Sequence, residues 1–129
     1  MRNPFTHKKL NEVKNSAPQF GYDEVMEARF AREDVEAEET GFSFYRLKPG
    51  KRQPFGHNHE EAEEVYVIVR GSGLLKLDDD IIEVERLDAI RVSPEVTRAF
   101  EAGGEGLEII VFGPRREGDG ELIPGWWSD

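Results

Sequence analysis

The sequence of 129 residues contains no cysteine. This absence excludes a scaffold held by disulfides, metal sites built on thiolates and nucleophilic catalysis by a thiol. The length suits one domain, because a chain of this size is too short to form two good hydrophobic cores. We therefore expect a single domain without thiol chemistry.

Long apolar runs are also absent. No stretch approaches the ~18 consecutive apolar residues that are needed to cross a bilayer. The segment from Met1 to Leu10 is charged and no apolar run follows it, so it does not resemble a signal peptide. Together with the lack of cysteine, these features predict a cytoplasmic protein.

Positive charge is scarce relative to negative charge. The chain has 17 basic and 27 acidic residues, which gives a net charge of -10 at pH 7. Such a chain is repelled by phosphate backbones and by anionic lipid headgroups. We therefore expect neither nucleic acid nor a membrane as a partner, and we interpret the acidity mainly as a means of solubility.

From Gly41 onward the sequence consists of short apolar segments separated by turn signals, at a spacing of roughly ten residues. No helix of ordinary length is needed after this point. The pattern predicts about eight short strands and an all-β jelly roll or barrel. The expected strands cover residues 26–32, 42–47, 64–70, 74–77, 81–84, 88–92, 97–100 and 107–112. The glycines of residues 71–73 and 103–106 are interpreted as turns between strands.

Three regions are expected within the single domain. Residues 1–40 are polar and weakly periodic, and we interpret them as an N-terminal extension that packs on the barrel or on a partner. Residues 41–113 form the barrel, and residues 114–129 form a C-terminal tail. Two tryptophans near the end of the tail, Trp126 and Trp127, are costly to leave in water. We therefore expect them to pack back on the barrel or on a partner chain.

The most informative stretch runs from Gly56 to Gly71. His57 and His59 are two residues apart, so on a strand both imidazoles project from the same face. Glu64 begins the next apolar strand, and a hairpin in between would bring its carboxylate beside the imidazoles. Two neutral imidazoles and a carboxylate are a good donor set for Fe, Mn, Co, Ni or Zn. A solvated loop is the alternative interpretation of an isolated His-x-His beside an acidic run.

This stretch resembles the first sequence motif of the cupin family. In that motif His-x-His is followed after four residues by Glu and after six more by Gly. His57, His59, Glu64 and Gly71 occupy these positions, whereas Lys51 stands where the family has an upstream glycine. The resemblance implies a double-stranded β-helix, the jelly-roll barrel of cupins, and a divalent transition metal bound by the two histidines and the glutamate.

Residues 87–100 resemble the second cupin motif in length and in Pro94, but they depart from it at several positions. Leu87 and Glu95 stand where glycine is usual. Arg98 stands where the family places its third metal-binding histidine. A guanidinium is effectively always protonated and has no lone pair to donate to a metal. The four-ligand site of the family is therefore not complete in this sequence.

Two outcomes follow from Arg98. In the first, His57, His59 and Glu64 form a three-ligand metal site with open positions, and Arg98 binds an anionic group of a small ligand such as a carboxylate. In the second, no metal binds, and Arg98 forms an ion pair with Glu64 inside the cavity. The sequence leaves both outcomes open.

Strand parity predicts which side chains line the cavity. If Glu64 points inward, so do Tyr66 and Ile68, and if Arg98 points inward, so does Phe100. We assign Arg98, Tyr66 and Phe100 to substrate binding, although plain core packing is the alternative for each aromatic residue. Tyr66 has the strongest case for a polar role, since a buried phenol needs a partner. Further candidates for the lining are Phe44, Arg46, Phe55 and Arg91.

The sequence leaves three classes of function open. The first is a metal-dependent enzyme, since such cupins include dioxygenases, decarboxylases and isomerases. The second is a non-catalytic, metal-free module that binds a small ligand, and the third is a barrel that serves mainly as a dimer scaffold. Fold analogy alone does not select a reaction.

The run from Val65 to Val69 is apolar at every position. A strand with one face in water alternates apolar and polar residues. Since Tyr66 and Ile68 are assigned to the cavity, Val65, Val67 and Val69 must be covered on the outside. The N-terminal extension is one candidate cover, but it is charged and weakly patterned. We therefore expect a homodimer, the commonest soluble assembly, in which a partner sheet or an N-terminal strand exchanged between the subunits covers these valines.

Overall fold

A computed structural model of the chain describes residues 4–114 and 119–127. The regular structure of these residues is almost entirely antiparallel β-sheet, which confirms the predicted all-β class. The strands are β1 (Met26–Phe30), β2 (Phe42–Leu47), β3 (Phe55–His59), β4 (Glu64–Leu77), β5 (Asp80–Glu85), β6 (Ala89–Val92), β7 (Arg98–Phe112) and β8 (Gly120–Pro124). A single 3-10 turn (Leu10–Glu12) and a one-turn helix, α1 (Ala17–Phe20), precede β1.

The two long strands, β4 and β7, pair with each other along most of their length and exchange their other neighbours on the way. The start of β4 pairs with β6, and its second half pairs with β5. The end of β7 pairs with β2, whereas Arg98 at its start pairs with β3. One strand edge pairs with one neighbour at a time, so each long strand has different neighbours at its two ends. The strands therefore form a curled sheet. The predicted jelly-roll barrel is therefore confirmed.

The glycine-rich residues 71–73 and 103–106 lie inside β4 and β7 and do not end them. The pairing of these strands shifts register between Gly71 and Gly73. Gly71 has a φ of +80°, and a Cβ built on it would lie 2.1 Å from the carbonyl oxygen of Gly106. These features are typical of β-bulges that bend a strand where two backbones approach closely. The prediction of turns at these glycines was wrong, and four expected short strands are two long ones.

The hydrophobic core lies inside the curled sheet, and most of its residues belong to β4 and β7. Tyr66, Ile68 and Phe100 are 0%, 0% and 1% exposed, so the parity argument that turned them inward is confirmed. They pack with Leu75 and Ile109 in one cluster. The core therefore forms directly beneath the strand that carries Glu64.

The sheet extends beyond residues 41–113 at both ends. β1 pairs with β2, and β8 pairs with β3, the strand that bears the two histidines. Trp127 donates its indole N–H to the backbone oxygen of Gln53 at 2.9 Å, and the Lys76 ammonium lies 4.3 Å from the Trp126 ring centre. The expectation that both tryptophans pack back on the barrel is confirmed. Residues 1–3 of the extension and residues 115–118 and 128–129 of the tail lie outside the described residues. In the described part of the chain, no helix is long and apolar enough to span a membrane.

Candidate functional site

His57, His59 and Glu64 converge on one side of the barrel interior. The two histidines are two residues apart on β3, so both side chains project from the same face of the strand. Their ring centres lie 5.4 Å apart. Glu64 Oε1 lies 3.3 Å from His57 Nε2 and 3.4 Å from His59 Nε2. One ligand atom from each of the three residues lies within 4.8 Å of the others, and all three side chains are partly buried. The structure thus brings together the residues that the sequence predicts as metal ligands.

The distances from Glu64 Oε1 to the two histidines are compatible with a shared transition metal. Metal–ligand bonds of about 2.0–2.2 Å place neighbouring ligand atoms roughly 3–3.5 Å apart, which agrees with the separations of Glu64 from the two histidines. Both ring nitrogens of His59 are buried and lack a hydrogen-bond partner among the described residues. Because buried polar atoms are normally partnered, an imidazole in this state is suited to a ligand that the protein does not supply.

The Glu64 carboxyl group is held in its ionised form. Burial alone would raise its pKa, but the neighbouring imidazoles of His57 and His59 and the guanidinium of Arg98 outweigh burial and hold the pKa well below its usual range. Glu64 is therefore an acceptor only, and its charge is available to a cation.

Arg98 lies directly behind Glu64 and is fully buried, with 0% exposure. Its Nη2 donates to Glu64 Oε1 at 2.6 Å, and its Nε donates to the Tyr66 hydroxyl at 3.1 Å. The Nη1 atom donates to the backbone oxygens of Val96, Pro94 and Ser93 at 2.8, 3.3 and 3.5 Å. Every guanidinium nitrogen therefore has a partner, and the ion pair with Glu64 that the second outcome requires is present.

Tyr66 connects the two members of this ion pair. Its hydroxyl donates to Glu64 Oε1 at 2.8 Å while it accepts from Arg98 Nε. Burial, followed by the negative charge of Glu64, raises its pKa well above the usual value, so the phenol stays neutral. The Phe100 ring lies edge-on to the Tyr66 ring with 5.1 Å between centres. The polar partner expected for Tyr66 is confirmed.

We call Arg98, Tyr66 and Phe100 the floor of the site. All three are almost completely buried, and none of them is among the residues that line the pocket described below. A ligand in that pocket therefore meets Glu64 and the histidines first. Direct substrate contact by the floor residues stays a prediction.

A pocket of about 650 Å³ opens beside His57, His59 and Glu64. Ligand sites typically have volumes of ~300–1,000 Å³ and a mainly apolar lining with a few polar groups. Six phenylalanines and tyrosines line it, and we call the five that contact one another in series the aromatic wall: Phe20, Tyr22, Phe30, Tyr45 and Phe55. The sequence analysis proposed Phe55 and missed the other four, three of which belong to the N-terminal extension. That extension therefore forms part of the pocket.

The predictions that Phe44, Arg46 and Arg91 line the pocket were wrong. Phe44 and Arg46 lie on the opposite face of β2, where the Arg46 guanidinium covers the Phe44 ring at 5.1 Å and pairs with Glu27 at 2.9 Å. Tyr45, between them in sequence, faces the pocket instead, as strand alternation requires. The Arg91 side chain is 61% exposed and donates to Ser93 Oγ.

Asp119 is a polar residue near the site that the sequence analysis did not find. Its carboxylate accepts hydrogen bonds from three successive backbone N–H groups, at 2.6 Å from Glu60, 2.9 Å from Glu61 and 2.9 Å from Ala62. Burial alone would raise its pKa, but these donors lower it. Asp119 Oδ2 also lies 3.4 Å from His59 Nδ1. Asp119 thus holds the loop that connects the two histidines to Glu64.

Solved structures of known proteins share this architecture. A cupin protein from Bacteroides fragilis is 19% identical and superposes with a TM-score of 0.70, covering 91% of this chain and 89% of that one. The chain has the cupin fold. The polyketide cyclase RemF from Streptomyces resistomycificus has the same fold at 20% identity, with a TM-score of 0.75 over 100% of this chain and 89% of its own. Oxalate decarboxylase from Bacillus subtilis is also 20% identical, with a TM-score of 0.73 over 95% of this chain and 32% of its own.

Comparison with known sequences gives less information about this chain than comparison with solved structures. No family model matches the chain. An uncharacterized protein from Methanocaldococcus jannaschii is 33% identical over 70 residues, which are 52% of this chain and 56% of that protein. The match thus spans little more than half the length of this relative. The likeness to known proteins concerns the fold, and a function has to be argued from the site itself.

Proposed function

We propose that this cupin-fold protein binds a small molecule in the pocket, next to a divalent transition metal held by His57, His59 and Glu64. The observation that carries the proposal is the convergence of His57, His59 and Glu64, whose ligand atoms lie within 4.8 Å of one another, with both His59 nitrogens buried and without a well-formed hydrogen bond among the described residues. Three protein ligands leave coordination positions open towards the pocket. A bound metal would supply Lewis-acid chemistry by polarising an oxygen of the ligand.

The surrounding residues orient these donors. Arg98 and Tyr66 both donate to Glu64 Oε1, which holds that carboxylate in one position. Asp119 holds the loop that follows His59. The positive charge of Arg98 beside Glu64 also opposes a second cation. We therefore expect weaker metal binding than at a site with three histidines and a glutamate.

The contact between Arg98 and Glu64 favours a second candidate, a metal-free module that binds a small ligand. At 2.6 Å the guanidinium already compensates the buried carboxylate, so the fold does not require a metal for that purpose. His57 and His59 would then bind the ligand by direct hydrogen bonds. The fold is shared by a cyclase and a decarboxylase, so it does not select a reaction.

Metal binding distinguishes the two candidates. Protein purified without chelator is examined by elemental analysis, and metal-free protein is titrated with Co²⁺ while its visible absorption is recorded. The proposal expects about one metal per chain, lost in His59→Ala and Glu64→Gln. The exposed His7 offers a matched control, and His7→Ala should bind as the wild type does. Absence of metal from the purified protein and of Co²⁺ binding would leave the metal-free module.

A further inference from the structure

We propose that the pocket is a site for an uncharged aromatic molecule with two or more fused rings, which presents a hydroxyl or carbonyl oxygen to His57 and His59. The inference deepens the proposed function, because it names the class of ligand for the same pocket. It rests on the aromatic wall, on the exposure of its rings and on the charges of the lining.

The five residues of the aromatic wall form one continuous series of ring contacts. Phe30 meets Tyr45 edge-on at 6.4 Å and Phe20 edge-on at 6.5 Å. Phe20 stacks on Tyr22 at 5.7 Å, and Tyr22 meets Phe55 edge-on at 6.3 Å. All four distances between ring centres lie in the range of favourable aromatic pairs. A flat ligand with delocalised electrons can make the same offset and edge contacts with several of these rings.

The rings at the pocket are not fully covered by the protein itself. Phe20 is 54% exposed and Phe30 is 44% exposed, and Leu122 of β8 in the lining is 60% exposed. Single apolar side chains on a surface need no explanation, but a cluster of them in a concave site is typical of binding surfaces. Covering these side chains with an apolar ligand is therefore favourable.

The charges of the lining disfavour an anionic ligand. Glu33, Glu64 and Glu121 line the pocket, and Arg32 is the one lysine or arginine among the described lining residues. Arg32 Nη2 donates to the backbone oxygen of Glu38 at 2.8 Å. Arg98 lies beneath the pocket with its guanidinium bound to Glu64. In the metal-free protein, a carboxylate on the aromatic wall would thus lose hydration without a dedicated cationic partner among the described lining residues.

The polar end of the pocket suits a hydroxyl or carbonyl group. The unpartnered ring nitrogens of His59 provide one donor and one acceptor in the neutral imidazole. A ligand oxygen at this point would satisfy a buried polar atom while the rings lie along the aromatic wall. The pocket therefore favours a ligand with one polar oxygen at the histidine end and an extended apolar ring system along the aromatic wall.

Three related compounds test the class of ligand by isothermal titration calorimetry at pH 7. The probe is 2-naphthol, which is uncharged and has fused aromatic rings. The comparison compounds are 2-naphthoate, which adds a negative charge, and 2-decalol, which keeps the skeleton and the hydroxyl group but is saturated. In metal-free protein, we expect 2-naphthoate to bind at least ~10-fold more weakly and 2-decalol to bind about 3- to 10-fold more weakly than 2-naphthol.

Two variants test the aromatic wall. Phe30→Leu and Phe55→Leu should each weaken binding of 2-naphthol by about 3- to 10-fold. Phe5→Leu is the matched control, because Phe5 is 79% exposed and does not line the pocket. Circular dichroism verifies the fold of each variant. In the wild type, intermolecular nuclear Overhauser effects between 2-naphthol and the wall rings locate the ligand independently of any variant.

The outcomes separate this inference from the metal proposal. The inference is overturned if, in metal-free protein, 2-naphthoate or 2-decalol binds as tightly as 2-naphthol, if 2-naphthol does not bind at millimolar concentration, or if it contacts rings outside the pocket. Each titration is run on metal-free protein and on protein supplied with Co²⁺. Binding of 2-naphthol to a protein that never takes up Co²⁺ would support the aromatic site and refute the metal centre. Uptake of Co²⁺ without binding of 2-naphthol would do the reverse.

Discussion

The floor of the site and the pocket above it differ in how completely the protein itself supplies hydrogen-bond partners and apolar contacts to their side chains. In the floor, every nitrogen of Arg98 has an acceptor, and the Tyr66 hydroxyl both donates and accepts. In the pocket, the His59 nitrogens lack partners and the rings of Phe20 and Phe30 are half exposed. The floor is complete as a structural unit, whereas the pocket retains unsatisfied polar and apolar surface. The difference favours a structural role for the floor, whereas the pocket keeps the surface that the proposed ligand would cover.

The largest expected effect comes from breaking the floor. Arg98→Met leaves the Glu64 carboxylate mostly buried without its cation, and removal of one partner from a buried ion pair typically costs about 3–5 kcal/mol. We expect a loss of this size in the free energy of unfolding, measured with urea. The control is the double variant Arg98→Met with Glu64→Gln, which carries no buried charge and should recover much of the loss. A single variant that loses less than ~1 kcal/mol would show that Arg98 does not neutralise Glu64.

The next effect concerns Asp119, which links the two regions. Asp119→Ala removes the acceptor of three backbone N–H groups, and donors left without an acceptor destabilise the folded state. We expect the free energy of unfolding to fall by less than in Arg98→Met, since water replaces part of what is lost. Affinity for Co²⁺ should fall as well, because the loop after His59 is released.

Asp119→Asn is the matched variant for this prediction. It keeps one acceptor oxygen and should lie between the wild type and Asp119→Ala in both measurements. If stability falls while the affinity for Co²⁺ is unchanged, Asp119 holds the loop without positioning His59.

A smaller effect is expected when the floor is converted into part of the metal site. Arg98→His removes a positive charge beside Glu64 and adds an imidazole at a position that pairs directly with His57 across the strands. We expect the affinity for Co²⁺ to rise by about 10-fold or more, as measured by titration of metal-free protein. Unchanged or weaker binding would indicate that the side chain of residue 98 does not reach the site.

The candidate ligands were predictable from the sequence because their relation is local. His57 and His59 need only strand alternation to share a face, and Glu64 follows after a short loop. The same alternation turned Tyr66 and Phe100 inward. Glycine gave a misleading signal, because bulges and turns favour the same residue.

The pocket was less predictable because its parts are distant in the chain. Asp119 is 57 to 59 residues from the N–H groups that it accepts from, and nothing in its own neighbourhood indicates that contact. Phe20 and Tyr22 lie in a polar segment without strand or helix periodicity. Their place in the aromatic wall follows from tertiary packing, in which α1 and β1 lie beside the barrel.

The smallest expected effect on the fold concerns the outer face of the barrel, where we propose that two copies associate. Val65 and Val67 of β4 pair with Phe112 and Ile110 of β7, so these four side chains share one face. The valines are partly exposed, and the Phe112 ring is 40% exposed. An isologous pair would cover this apolar face and should bury more than ~1,000 Å².

Val67→Lys tests this pair with little disturbance of the interior. A charge at the centre of the face should dissociate the dimer, whereas an exposed substitution usually changes the stability of a single chain by no more than ~0.5 kcal/mol. Light scattering at micromolar concentration should give twice the 14.7 kDa chain mass for the wild type and the chain mass for the variant. Glu83→Lys on the exposed strand β5 adds the same side chain away from this face and should remain dimeric. A wild type that scatters as a single chain would refute the dimer, and the outer valines would then stay in contact with water. The conclusions on the floor and the pocket do not depend on this result.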